Sequence, residues 1–172
     1  MNLIIDIGNT ATKLAVFQLD KIININIVST KGMVLEVEKL LKKFSEIKYG
    51  LLSTVKTMDN LEVESLQKLL PIKILDTTFR MPFINRYETP LTLGVDRLAL
   101  MAAAVNDFPN SNVLVIDAGS CITYDFMNAD QNYLGGAISP GVEMRYKSLQ
   151  AFTSNLPRLQ KASPSQRIGS ST

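Results

Sequence analysis

One pattern, written twice, limits what this chain can become. Near the start, the apolar run Leu3-Ile4-Ile5 ends in Asp6-Ile7-Gly8-Asn9-Thr10, and a second strand-like stretch, Lys13 to Leu19, follows at once. Farther along, Val113 to Ile116 runs into Asp117-Ala118-Gly119-Ser120, and Ile122 to Met127 follows. Each reads as strand, polar glycine-bearing turn, strand. A chain that opens both halves in the same way reads as an internal duplication, and a repeated unit outweighs isolated local propensities.

The chemistry of such a tip suits phosphate. Gly8 and Gly119 remove a Cβ clash and permit positive φ. Asn9, Thr10 and Ser120 add small donors beside the backbone N–H groups. Asp6 and Asp117 cannot face a phosphate directly, so a cation or a water belongs between them and it. Two tips facing each other would grip a triphosphate from both sides, and phosphoryl transfer asks chiefly for positioning and charge neutralisation. A single Asp-x-Gly is more often an ordinary turn; the pairing reverses that balance. Lys13 either adds charge toward phosphate or is a solvated strand residue.

Between the tips the periodicity alternates. Ile22 to Val28 is a third strand. Met33, Val34, Val37, Leu40, Leu41 and Phe44 fall on one helix face. Tyr49 to Ser53 reads as a buried strand, Asn60 to Leu70 as a helix stopped by Pro71, and Ile72 to Leu75 as a short strand. A loop spans Asp76 to Leu93, and an Ala-rich helix runs from Val95 to Phe108. Pro109-Asn110-Ser111-Asn112 breaks the chain. Beyond the second tip come a glycine-rich strand, Leu134 to Ser139, and a helix from Glu143. The expected division is residues 1–108 and 109–172.

Composition closes other routes. With 172 residues, 46% hydrophobic, the chain can bury a core. A net charge of +2 without basic clusters implies no nucleic-acid or membrane partner. One cysteine, Cys121, and no histidine exclude an intrachain disulfide, a cysteine zinc site and His-dependent triads. Cys121 itself reads as a small buried residue. No apolar run reaches the roughly 18 residues a membrane span needs, and MNLIIDIGNT lacks the basic start of a signal peptide. A cytoplasmic protein is expected.

A third constellation is Gly94-Val95-Asp96-Arg97, opening the Ala-rich helix. Asp96 there is either a helix-start charge or a proton acceptor for a substrate hydroxyl. Arg97 gains nothing from the helix dipole, and its fork suits a ligand carboxylate. Tyr87 lies in the preceding loop and either lines a pocket or packs there. Gly135-Gly136 permits close backbone approach or a strand kink. Met81, Met101 and Met144 read as core filler.

MNLIIDIGNTATKLAVF, TPLTLGVDRLALMAAAV, VLVIDAGSCITYDFM and YLGGAISPGVEMR, in this order and spacing, resemble the type III pantothenate kinases of the actin, Hsp70 and sugar-kinase superfamily. The resemblance implies an α/β fold of duplicated ribonuclease H-like (actin-like ATPase) domains with mixed sheets. It implies ATP-dependent phosphorylation of pantothenate at its 4′ hydroxyl, the first step of coenzyme A synthesis. Asp6, Ile7, Gly8, Asn9, Thr10, Ala11, Thr12 and Lys13 would form the first ATP loop, with Ser120 at a second ATP contact where the family usually has Thr. Tyr87, Gly94, Val95, Asp96 and Arg97 would hold pantothenate, Asp96 as catalytic proton acceptor and Arg97 on the carboxylate. Asp117 would ligate a monovalent cation, K+ or NH4+, with Mg2+ arriving on ATP. A homodimer with shared active sites is implied, Thr172 of the Ile168-Gly169-Ser170-Ser171-Thr172 stretch completing the partner's pocket. The family usually continues past this motif, so the second domain is expected to lack closing elements. Two other readings stay open: a phosphotransferase with another acceptor, and a non-catalytic accessory factor.

Overall fold

The computed structural model describes residues 1–56, 59–163 and 166–168. Nine strands and four α-helices are described, in the order β1 (Asn2–Ile7), β2 (Thr12–Gln18), β3 (Lys21–Val28), α1 (Met33–Lys43), β4 (Tyr49–Thr54), α2 (Asn60–Leu69), β5 (Ile72–Ile74), β6 (Ile84–Asn85), α3 (Val95–Asp107), β7 (Val113–Ala118), β8 (Cys121–Met127), β9 (Asn132–Pro140) and α4 (Val142–Ala151). The expected strands and helices are present, with ends shifted by a residue or two. The addition is β6, which lies inside the segment expected to be loop. It exists only through its parallel pairing with β9, nearly fifty residues later, and a two-residue strand leaves no local periodicity to read.

Two mixed sheets make the α/β architecture. The first has the order β3-β2-β1-β4-β5 and the second β6-β9-β8-β7. Both contain an antiparallel three-stranded meander, β1-β2-β3 and β7-β8-β9. That is the duplication the two tips announce.

Alternation along β1 decides where its aspartate goes. Leu3, Ile5 and Ile7 point to one face and are buried with Leu14, Val16 and Leu52 beneath Met33, Val37 and Leu40 of α1 and Leu66 of α2. The period of two then sends Asp6 to the opposite face. Its directly paired neighbours, Lys13 on β2 and Ser53 on β4, lie on that face with it.

The second sheet packs differently. Its core joins Met127 and Tyr133 to Leu98, Met101 and Ala104 of α3 and to Phe83 and Leu93 of the segment before it. The boundary expected after residue 108 therefore falls later in sequence than the point where packing changes hands, because α3 serves the second core. α3 also contacts β4 of the first sheet, as well as β7 and β8 of the second. It is wedged between the sheets, with its first turn near the ends of β1 and β7. Leu114, Ile116 and Phe126, on the face of the second sheet away from α3, are exposed.

Candidate active site

The two tips meet. Thr10 Oγ1 and Ser120 Oγ lie 3.1 Å apart, although they are 110 positions apart in the chain. Each tip is closed by a short backbone bond, Gly8 N–H to the Ala11 carbonyl at 3.1 Å and Gly119 N–H to the Cys121 carbonyl at 2.8 Å. Neither glycine uses the positive φ it permits; among the described residues the glycine with positive φ is Gly135. What Gly8 and Gly119 contribute is a missing side chain, since a Cβ at either would meet no atom closer than 3.4 Å and would instead occupy the space beside the tip.

Behind the tips, the Asp96 and Asp117 carboxylates lie close enough to Asp6 to act on it electrostatically. Burial pushes the Asp6 carboxyl above its ordinary value; Lys13 draws it back, while Asp96 and Asp117 push it further up. Lys13 Nζ, which is exposed, stands 3.9 Å from Oδ2 of the half-buried Asp6. Such an arrangement of like charges favours a cation. Beside Asp6 on β4 is Ser53, and opposite Asp117 on β8 is Thr123. Both are buried, and neither side-chain hydroxyl has a hydrogen-bond partner among the described residues. Buried orphan hydroxyls are costly, so each marks a position where a bound water or ion oxygen shell is expected. Among the described residues no three Asp, Glu, Cys or His side chains close on one point as a metal cage. A cation here would share protein carboxylates with phosphate and water oxygens, which is how Mg2+ is usually held beside a nucleotide.

Asp96 sits in the first turn of α3, after Gly94. Its Oδ1 accepts from the Arg97 backbone N–H at 2.9 Å. A Cβ on Gly94 would collide with that same oxygen. Glycine at 94 leaves the space in which the Asp96 carboxylate folds back over the helix start.

Arg97 is not a free fork. It is 4% exposed. Its Nε donates to Asp125 Oδ1 at 2.9 Å and Oδ2 at 3.2 Å, and its Nη2 donates to Oδ1 at 2.6 Å. Tyr133, fully buried, donates its hydroxyl to the same Oδ1 at 2.6 Å. The Tyr87 ring stacks on Tyr133 at 6.1 Å and lies 5.5 Å from the guanidinium carbon of Arg97. Burial alone would lower the Arg97 pKa, but the hydrogen bond and charge of Asp125, with smaller contributions from Tyr133 and Tyr87, together raise it. Burial, followed by the bond to Asp125, holds the Tyr133 phenol well above its usual range.

The remaining expected site residues divide by geometry. Ile7 and Thr12 turn into the first core, and Thr12 Oγ1 lies 3.3 Å from Thr30 Oγ1. Their side chains do not reach the tip, so only their backbone can serve it. Asn9 and Lys13 are exposed, Ala11 and Val95 are half-buried, and Thr172 lies outside the described residues. Sequence reasoning passed over Asp125, Tyr133, Ser53 and Thr123. Asp125 had a signal: a carboxylate inside an apolar strand, Ile122 to Met127, needs a buried cation nearby.

Two glycine-bearing tips that meet near a helix start are compatible with a nucleotide-dependent phosphotransferase, and comparison with known proteins narrows the class. The profile of the type III pantothenate kinase family matches residues 2–172. A type III pantothenate kinase of Christiangramia forsetii is 49% identical over 172 residues, covering 100% of this chain and 71% of that protein. One from Flavobacterium johnsoniae is 41% identical over 172 residues, covering 100% and 70%. Among solved structures, a Campylobacter jejuni protein described as a conserved Baf family transcriptional activator is 26% identical with a TM-score of 0.52, covering 95% of this chain and 68% of that one. The chain belongs to the type III pantothenate kinase family.

Proposed function

We propose that this protein transfers the γ-phosphoryl group of ATP to the 4′ hydroxyl of pantothenate, opening coenzyme A synthesis. The observation that carries the reading is the meeting of both tips, at Thr10 and Ser120, directly beside the helix start that bears Asp96. Backbone N–H groups and small donors of the tips face the polyphosphate from two sides. Asp96, folded over the start of α3, accepts the proton of the acceptor hydroxyl as it attacks. The developing charge is spread over phosphate oxygens, so positioning contributes more than proton transfer.

The divalent ion accompanying ATP neutralises the phosphates. Asp6 and Asp117, with Ser53 and Thr123 beside them, fit an outer shell for it. A monovalent cation, K+ or NH4+, at Asp117 belongs to the same reading, as does a homodimer whose partner contributes Thr172. The protein is read as cytoplasmic, without nucleic-acid or membrane partners; among the described residues no helix is long and apolar enough to cross a membrane.

The test is product analysis. Purified protein is incubated with ATP, Mg2+, K+ and either pantothenate or a panel of sugars, and phosphate esters are followed by phosphorus NMR. A 4′-phosphorylated product from pantothenate alone is expected. Phosphorylated sugar without phosphopantothenate would overturn the acceptor assignment.

A further inference from the structure

The cluster of buried Arg97, Asp125 and Tyr133 with half-buried Tyr87 has no counterpart among the described residues of the first half. It lies behind the helix start rather than in the phosphate cleft. As a stability device it is a poor choice, because apolar residues of similar volume commonly do as well as a buried ion pair. Its geometry does something else. Asp125 takes up Nε and Nη2 of Arg97 and leaves Nη1 without a bond to it. The guanidinium plane is thereby fixed, with Tyr87 beside it. Tyr133 draws on the same carboxylate oxygen, Oδ1, that receives two of the three arginine bonds. A carboxylate shared among three donors neutralises any one of them less completely, so Arg97 keeps positive potential for a further anion. Gly135, at φ 106°, brings β9 against the Tyr87 ring, where a Cβ would come within 3.2 Å.

We propose that Asp125 and Tyr133 are positioning residues that hold Arg97 so that its Nη1 reads the carboxylate of the acceptor. The inference rests on the pantothenate reading above and deepens it by naming what fixes the specificity arginine. Because the Tyr133 phenol stays protonated far above neutrality, its donor role is constant across physiological pH.

The test compares two acceptors on Tyr133→Phe, with Arg97→Met as a control. The first acceptor is pantothenate, and the second is its alcohol analogue, in which a hydroxymethyl group replaces the carboxylate. Removing one hydrogen bond to a charged group is expected to raise KM for pantothenate roughly five- to tenfold. The KM for ATP, the KM for the alcohol analogue and kcat should stay within about twofold, since none depends on the orientation of Nη1. Arg97→Met should abolish the preference for pantothenate over the alcohol. A general packing defect would instead move both acceptors and ATP together, and that result would overturn the inference. Pantothenate turnover with unchanged discrimination in Tyr133→Phe would sink the positioning role alone. A wild-type protein that fails to phosphorylate pantothenate would remove the functional reading and the inference with it.

Discussion

The two halves of this molecule carry the same hairpin in different settings. In the first, β1 is the middle strand of five, and its apolar face is closed by α1 and α2. In the second, β7 is an edge strand of a four-stranded sheet, and its core is completed by α3 and a buried ion pair. The first half is held by apolar packing and lifts Asp6 to a half-buried position. The second depends on Arg97, Asp125 and Tyr133 and leaves Asp117 exposed at a strand end. A duplicated unit can thus keep its hairpin tip while its supporting interactions diverge, because the tip needs only a strand end and a small turn.

That contrast can be broken most forcefully at the buried polar groups. Asp125→Leu strips a buried arginine of its partner and is expected to lower stability by about 3–5 kcal/mol. Thr12→Val, at an inward position of the first half, removes one long hydroxyl contact and is expected to cost about 1 kcal/mol. Urea denaturation of the two variants measures both. Equal losses would erase the difference between the halves.

Asp6 and Asp117 sharpen the comparison next. The Asp6 carboxyl in the folded protein holds its proton above the ordinary value of 3.8. Between 3.8 and the raised value the folded state binds more protons than the unfolded one, so stability falls as pH rises through that window. The cost is then fully present at neutral pH. Asp6→Asn should therefore raise Tm at pH 7 and leave it unchanged below pH 3.8, while catalysis falls. Asp117→Asn should reduce catalysis as well. Thermal scans across pH, paired with rate assays, decide it.

The smallest effect is expected where the tips touch. Thr10→Ala removes a single exposed hydroxyl contact to Ser120. The KM for ATP should rise about two- to fivefold with little change for pantothenate.

Much of this was readable in the sequence because it is local. The period-two alternation of Leu3, Ile5 and Ile7 fixes both the core face and the side on which Asp6 emerges, and the repeated Asp-x-Gly announces the duplication. Gly94 to Arg97 reads as a helix start with chemistry in it. What stayed hidden depends on pairs distant in sequence. β6 exists only against β9. The partner of Arg97 is Asp125, 28 positions on, and the chain offers many carboxylates for one arginine to choose from. Thr12 sits within the tip motif but on the inward alternate of β2, so a motif read as a block assigns its side chain to the wrong side of the sheet. Gly8 and Gly119 permit positive φ but do not use it, because hairpins can close around a tip with ordinary φ; glycine serves there by leaving space.

Asp96 is where the contributions of both halves converge, so its chemistry tests the central claim most directly. Single-turnover transfer of labelled phosphate from ATP to pantothenate would be measured for the wild type and for Asp96→Asn, with ATP binding measured separately. The expected result is near-normal ATP affinity and a transfer rate lower by roughly 10²–10⁴. Full transfer by Asp96→Asn would contradict the proton-acceptor role at the meeting point of the two tips.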